Sequence, residues 1–94
     1  MSYELEFLPI ALKEWKKLNK SIKEQFKSKL KERLANPKVP KDKLSGFSNV
    51  YKIKLRSVGY RLAYEVIDDK LIVLVLSVGK RENSKIYKKL KNRF

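Results

Sequence analysis

The chain of 94 residues contains no cysteine and no histidine. Without thiols there is neither a disulfide framework nor a thiolate nucleophile, and without imidazole most zinc and haem sites and the commonest general base are excluded. Only three glycines and three prolines are present, too few for a low-complexity tail or linker. No apolar run approaches the ~18 residues of a membrane span. Tyr3-Glu4-Leu5-Glu6-Phe7 sets acids where a signal peptide needs an apolar centre, so the expected location is the cytoplasm, with no membrane contact. Acids are scarce, ten against 24 Lys and Arg.

What is present suffices for one small folded domain spanning residues 1–94, because 43% of residues are hydrophobic and 11% aromatic. A core of that size leaves no room for a closed cofactor cavity, and no cofactor is expected. The net charge of +14 is the strongest global signal, and Lys80 to Phe94 alone carry seven basic side chains and one acid. A polyanion is the expected partner, nucleic acid before an acidic protein or an anionic membrane.

Along the chain, Tyr3, Leu5 and Phe7 alternate with polar neighbours, as in a half-buried strand. Pro9 can open a helix without losing a hydrogen bond, and Leu12, Trp15 and Leu18 predict that helix to run to about Asn19-Lys20. Ser21 and Glu24 fit a capping box for a second helix. Ile22, Phe26, Leu30 and Leu34 repeat every fourth residue until Asn36-Pro37, and the lysines between them read as a solvated face. Residues 37–49 read as a polar loop.

Three strands follow. Tyr51, Ile53 and Leu55 alternate with Lys52, Lys54 and Arg56, and Tyr60, Leu62, Tyr64 and Val66 with Arg61, Ala63 and Glu65; Lys70 to Val78 is apolar nearly throughout, as in a central strand. A two-residue turn at Val58-Gly59 predicts the pairs Arg56 with Arg61, Lys54 with Ala63 and Lys52 with Glu65. A second turn at Asp68-Asp69 brings Arg61 near Leu76. Beyond the sheet, Asn83 or Ser84 can cap a short basic helix through Ile86, Tyr87 and Leu90. The predicted fold is α+β: an antiparallel sheet of about four strands, an N-terminal helical hairpin on one face and a short C-terminal helix.

In this arrangement Lys52, Lys54, Arg56 and Arg61 form one cationic patch. Crowded like charges destabilise a fold unless something anionic sits among them, although an exposed basic sheet face is the plainer alternative. For an RNA phosphodiester the patch supplies what scission by the neighbouring 2'-hydroxyl requires, namely a base and cations for the developing charge. Lys54, flanked by Lys52 and Arg56 and adjacent to Arg61, is the candidate base, because neighbouring positive charge lowers an ammonium pKa. Arginine stays protonated, which suits Arg61 and Arg81 to clamping phosphate. Tyr87 can stack on a base or lend its hydroxyl. A metal-dependent nuclease is disfavoured, because the carboxylates do not cluster and Asp68-Asp69 reads as a turn.

Tyr51 to Ile67, Val75-Leu-Ser-Val-Gly-Lys-Arg81 and Tyr87, with Ala11-Leu-Lys-Glu-Trp15, strongly resemble the RelE family of bacterial toxin–antitoxin endoribonucleases. The likeness covers the whole chain. It implies a RelE-like fold and a toxin that enters the ribosomal A site and cuts mRNA there without a metal, leaving a 2',3'-cyclic phosphate. It implies as partners the 70S ribosome with its RNA, the mRNA and a neutralising antitoxin, with operator DNA reached only through the antitoxin complex. The family's functional residues match Lys52, Lys54, Arg61, Arg81 and Tyr87, while Arg56, Lys80, Lys43 and Lys41 are further candidate RNA contacts. Where the family carries a basic residue in the loop, this chain has Ser45. A ParE-like toxin that inhibits DNA gyrase without catalysis is the alternative, and such a protein has no use for the paired lysines together with Arg81 and Tyr87. A non-catalytic RNA-binding accessory protein is the third reading.

Overall fold

The computed structural model describes residues 2–80. In chain order the elements are β1 (Glu4–Phe7), α1 (Pro9–Lys16), α2 (Lys20–Ala35), a 3-10 turn (Pro40–Asp42), β2 (Val50–Leu55), β3 (Tyr60–Ile67), a second 3-10 turn (Asp68–Lys70) and β4 (Ile72–Lys80). The sheet order is β1-β4-β3-β2. The predicted α+β architecture of helical hairpin on four strands is present, and the predicted C-terminal helix lies outside the described residues. The sheet is mixed rather than wholly antiparallel. β2, β3 and β4 form an antiparallel meander, while β1 returns through the helices to pair parallel with β4, Glu4 against Ile72 through Phe7 against Val75.

Pro9 occupies the first turn of α1 as expected. The helix ends at Lys16, however, because Asn19 takes an extended conformation and its side chain accepts from the Ile22 amide at 2.9 Å. Asn19, not Ser21, is therefore the cap of α2, and Lys20 and Ser21 belong to its first turn. One core lies between the hairpin and the sheet: Ala11, Ile22, Phe26 and Leu30 pack on Tyr51, Ile53, Leu55, Leu62, Tyr64, Val66, Val73, Val75 and Val78. Leu12, expected inward, is exposed, and Ala11 takes the buried place.

A second, smaller core occupies the other sheet face, where Leu44 covers Val50, Ala63 and Leu76, with Phe47 at its margin. The segment 37–49 is thus not wholly polar. The Leu44 amide donates to the Val50 carbonyl at 2.9 Å, which fastens the loop to the outer side of β2.

Both predicted hairpin registers are corrected. β2 and β3 are joined by four residues, with the Val58 and Gly59 amides donating to the Leu55 carbonyl and Gly59 at φ 70, a left-handed conformation that favours glycine. The pairs are Lys54 with Arg61, Lys52 with Ala63 and Val50 with Glu65, two residues away from those of a two-residue turn. Between β3 and β4 the link is likewise four residues, Ile67 pairing Ile72, and a bulge shifts the register between Ala63 and Tyr64. Arg61 consequently faces Gly79, not Leu76. The bulge lets Val75 and Val78 both face the helices.

Candidate functional site

Alternation along β2 and β3 aims Tyr51, Ile53, Leu55, Leu62 and Tyr64 at the helices, so Lys52, Lys54 and Arg61 project from the opposite face. Two cross-strand rows build the site. Lys52, Ala63 and Ser77 form one, and Lys54, Arg61 and Gly79 the next. Directly opposed residues hold their Cβ atoms about 5 Å apart, so Lys54 and Arg61 are closer than the predicted pairing made them. Ala63 and Gly79 add almost no bulk beside the cations.

The electrostatics agree with the geometry. The Lys54 ammonium is held below its usual range, first by the charge of Lys52 and a hydrogen bond with it, then by the charge of Arg61, with desolvation and Arg56 adding to the effect. Among the described residues the ion pairs are Arg33 with Asp42 and Lys38 with Asp68, neither of which neutralises the patch. The nearest acid in register on this face of β3, Glu65, stands opposite Val50. No group of acids among the described residues could hold a metal ion.

Arg33 and its partners support the patch from beneath, a role that a solvated-face reading of α2 misses. The guanidinium donates to the Lys52 carbonyl at 3.2 Å, to the Tyr64 hydroxyl at 2.9 Å and to Asp42 Oδ2 at 2.6 Å. The Tyr64 hydroxyl donates in turn to the Pro37 carbonyl at 2.6 Å. Burial opposes the Arg33 charge, yet these bonds to Tyr64 and Asp42 outweigh it and raise its pKa. The network ties α2 and the 37–49 loop to the strand that carries both lysines. A signal existed in the sequence: Arg33 falls seven residues after Phe26 and three after Leu30, on the buried face of α2.

The remaining candidates divide. Arg56, exposed in the β2–β3 loop, and Lys41, exposed on the first 3-10 turn, line with Lys52 and Lys54 a groove of about 790 Å³ between α2 and the edge of β2, which also takes in Gln25 and Lys29. Lys43 is exposed and bridged to Tyr51. Ser45 is exposed beside Gly46, whose φ is 84. Lys80 is exposed at the end of β4, but its register opposite Tyr60 places it on the helical side of the sheet, away from the patch. Arg81 and Tyr87 lie outside the described residues.

Comparison with known proteins follows the same line. The family described as ParE toxin of type II toxin-antitoxin systems matches residues 5–84. The mRNA interferase toxin RelE of Escherichia coli strain K12 is 55% identical over 87 residues, 93% of this chain and 92% of the relative. The crystal structure of the isolated E. coli RelE toxin superposes with a TM-score of 0.85 at 51% identity, over 98% of each chain. A toxin chain in the intact E. coli RelBE toxin–antitoxin complex gives 0.84 at 54% identity, over 87% of this chain and all of that one. Sequence, fold and site geometry converge: the chain belongs to the RelE toxins within the ParE toxin family of type II toxin–antitoxin systems.

Proposed function

We propose that this chain is the single-domain toxin of a type II toxin–antitoxin system, an endoribonuclease that cuts mRNA in the ribosomal A site. The observation that carries the reading is the meeting of Lys52, Lys54 and Arg61 on one sheet face, none of them in the ion pairs found among the described residues, in a chain 55% identical to an mRNA interferase toxin. Lys54, its pKa lowered by its neighbours, takes the proton of the 2'-hydroxyl. The 2'-oxygen attacks the adjacent phosphorus, the bond to the 5'-oxygen breaks, and a 2',3'-cyclic phosphate and a free 5'-hydroxyl result. Arg61 and Arg81 stabilise the charge growing on the non-bridging oxygens, Lys52 lowers the pKa of Lys54, and Tyr87 stacks on a base or donates to the departing oxygen. Arg56, Lys41 and Lys43 contact flanking phosphates, and no metal enters the reaction.

The reaction takes place in the cytoplasm, where ribosomes and message meet, and no described helix is long and apolar enough to cross a membrane. A cognate antitoxin neutralises the toxin, as the RelBE complex supports by likeness, and operator DNA is reached only through that complex. The gyrase-inhibiting reading rests on a shared fold with ParE toxins, whereas the relatives at 55% identity are RelE proteins. Purified protein incubated with programmed ribosomes, followed by mapping of mRNA 5' ends, tests the proposal. Cuts confined to the A-site codon support it; intact message accompanied by loss of gyrase supercoiling activity overturns it.

A further inference from the structure

Two buried polar atoms among the described residues have no hydrogen-bond partner, Arg61 Nε and Ser77 Oγ. They are neighbours. Arg61 stands opposite Gly79 and Ser77 opposite Ala63 in adjacent rows of the β3–β4 ladder, so the two side chains are diagonal partners on the face that carries the cationic patch. Diagonal positions lie about 7–8 Å apart, within the span of an arginine side chain. The other two corners of that square are Gly79 and Ala63. Ser77 is fully buried, and a buried hydroxyl without a partner lowers stability where alanine would pack without penalty. The two atoms are complementary, since Nε–H can only donate and a hydroxyl can accept.

We propose that Ser77 is a positioning residue for Arg61: its hydroxyl accepts the Arg61 Nε–H when the guanidinium engages the RNA phosphate, leaving the two terminal nitrogens aligned on the phosphate oxygens. Both atoms are shut off from solvent, so neither meets the RNA directly, and Ser77 acts only through the arginine. Hydrogen bonds of this kind are often open in the free enzyme and tighten with substrate bound. Fixing Nε restrains the rotation of the guanidinium plane, which is the freedom that a two-pronged grip on phosphate must lose. The inference rests on the role proposed for Arg61.

The test is a double-mutant cycle on ribosome-dependent cleavage, read as single-turnover rate and as the concentration of programmed ribosomes giving half-maximal rate. Ser77→Ala is expected to slow the chemical step about tenfold with that concentration unchanged, while its melting temperature stays level or rises. In an Arg61→Ala background Ser77→Ala should have no further effect. Ser77→Thr, which keeps the hydroxyl, should retain most of the rate, and Ser77→Cys, similar in volume but a poor acceptor, should behave as Ala does. Arg61→Lys, which keeps the charge but lacks Nε, should also be indifferent to Ser77→Ala, and this pair serves if Thr does not fit. A parental rate in Ser77→Ala, or the same loss with and without Arg61, overturns the proposal while leaving Arg61 in place. A parental rate in Arg61→Ala overturns both.

Discussion

Replacing Arg33 by alanine removes three hydrogen bonds at once from the ground beneath β2. Their loss is not equal. Tyr64 keeps its bond to the Pro37 carbonyl, and the Lys52 carbonyl on the outer side of β2 can turn to water, but Asp42, its side chain only 19% exposed, loses its ion-pair partner. A hydrogen bond to a charged group contributes about 1.5–3 kcal/mol, and breaking a fully buried pair costs about 3–5 kcal/mol. With 12% and 19% of the two side chains still exposed, the loss falls at the lower end, about 2–3 kcal/mol. For a domain of this size that lowers the melting temperature by about 10–20 °C. Asp42→Asn, which keeps an acceptor, should lose about half as much, and a cycle with Arg33→Ala should reveal coupling of about 1 kcal/mol or more. Thermal melts followed by circular dichroism read both quantities. An Arg33→Ala protein melting within about 2 °C of the parent would refute the claim that this network holds the β2 edge.

Lys54→Ala should reduce cleavage by about 100-fold or more, the usual contribution of a positioned base. Lys52→Met returns the Lys54 pKa toward 10.5, so more of the base is protonated at neutral pH and the rising limb of the rate–pH profile should move to higher pH; an unmoved limb would exclude this coupling. The Asp68 carboxyl, hydrogen-bonded by Lys38 and Tyr3, lies below its usual 3.8, so the stability it contributes is fully present above that value and fades as pH falls through the lower folded value. Carbonyl-carbon NMR titration should find it there and find it raised in Lys38→Ala. Leu44→Ala, which empties the centre of the second core, should cost about 2–4 kcal/mol in a denaturant melt, and a loss under about 1 kcal/mol would mean the loop merely rests on the sheet.

Much of the site was legible because a strand has a period of two. Parity puts Lys52, Lys54 and Arg61 on one face whether the turn has two residues or four, provided both strands keep their alternation. The pairing was not legible, because Ser57-Val58-Gly59 fits two loop lengths that differ by two residues and both keep the parity. The bulge was hidden for a different reason: Ile72 to Val78 is apolar almost throughout, so nothing in the pattern marks where the strand changes step. Ser21 and Glu24 have the capping-box spacing, which hides the Asn19 cap from a local pattern, whereas the extended backbone at Asn19 decides the matter. The buried Leu44 and the Arg33 network depend on contacts distant in sequence, which local patterns do not carry.

The parallel pairing of β1 with β4 has a consequence for how the protein is made. Glu4 finds its partner only at Ile72, beyond both helices and the other two strands, so the sheet cannot close until β4 is in place. Contacts of such long range form late and slowly, after the meander that needs only short loops. A copy still folding therefore carries its lysine pair on an unfinished scaffold, and it matures only when β1 has been seated against β4.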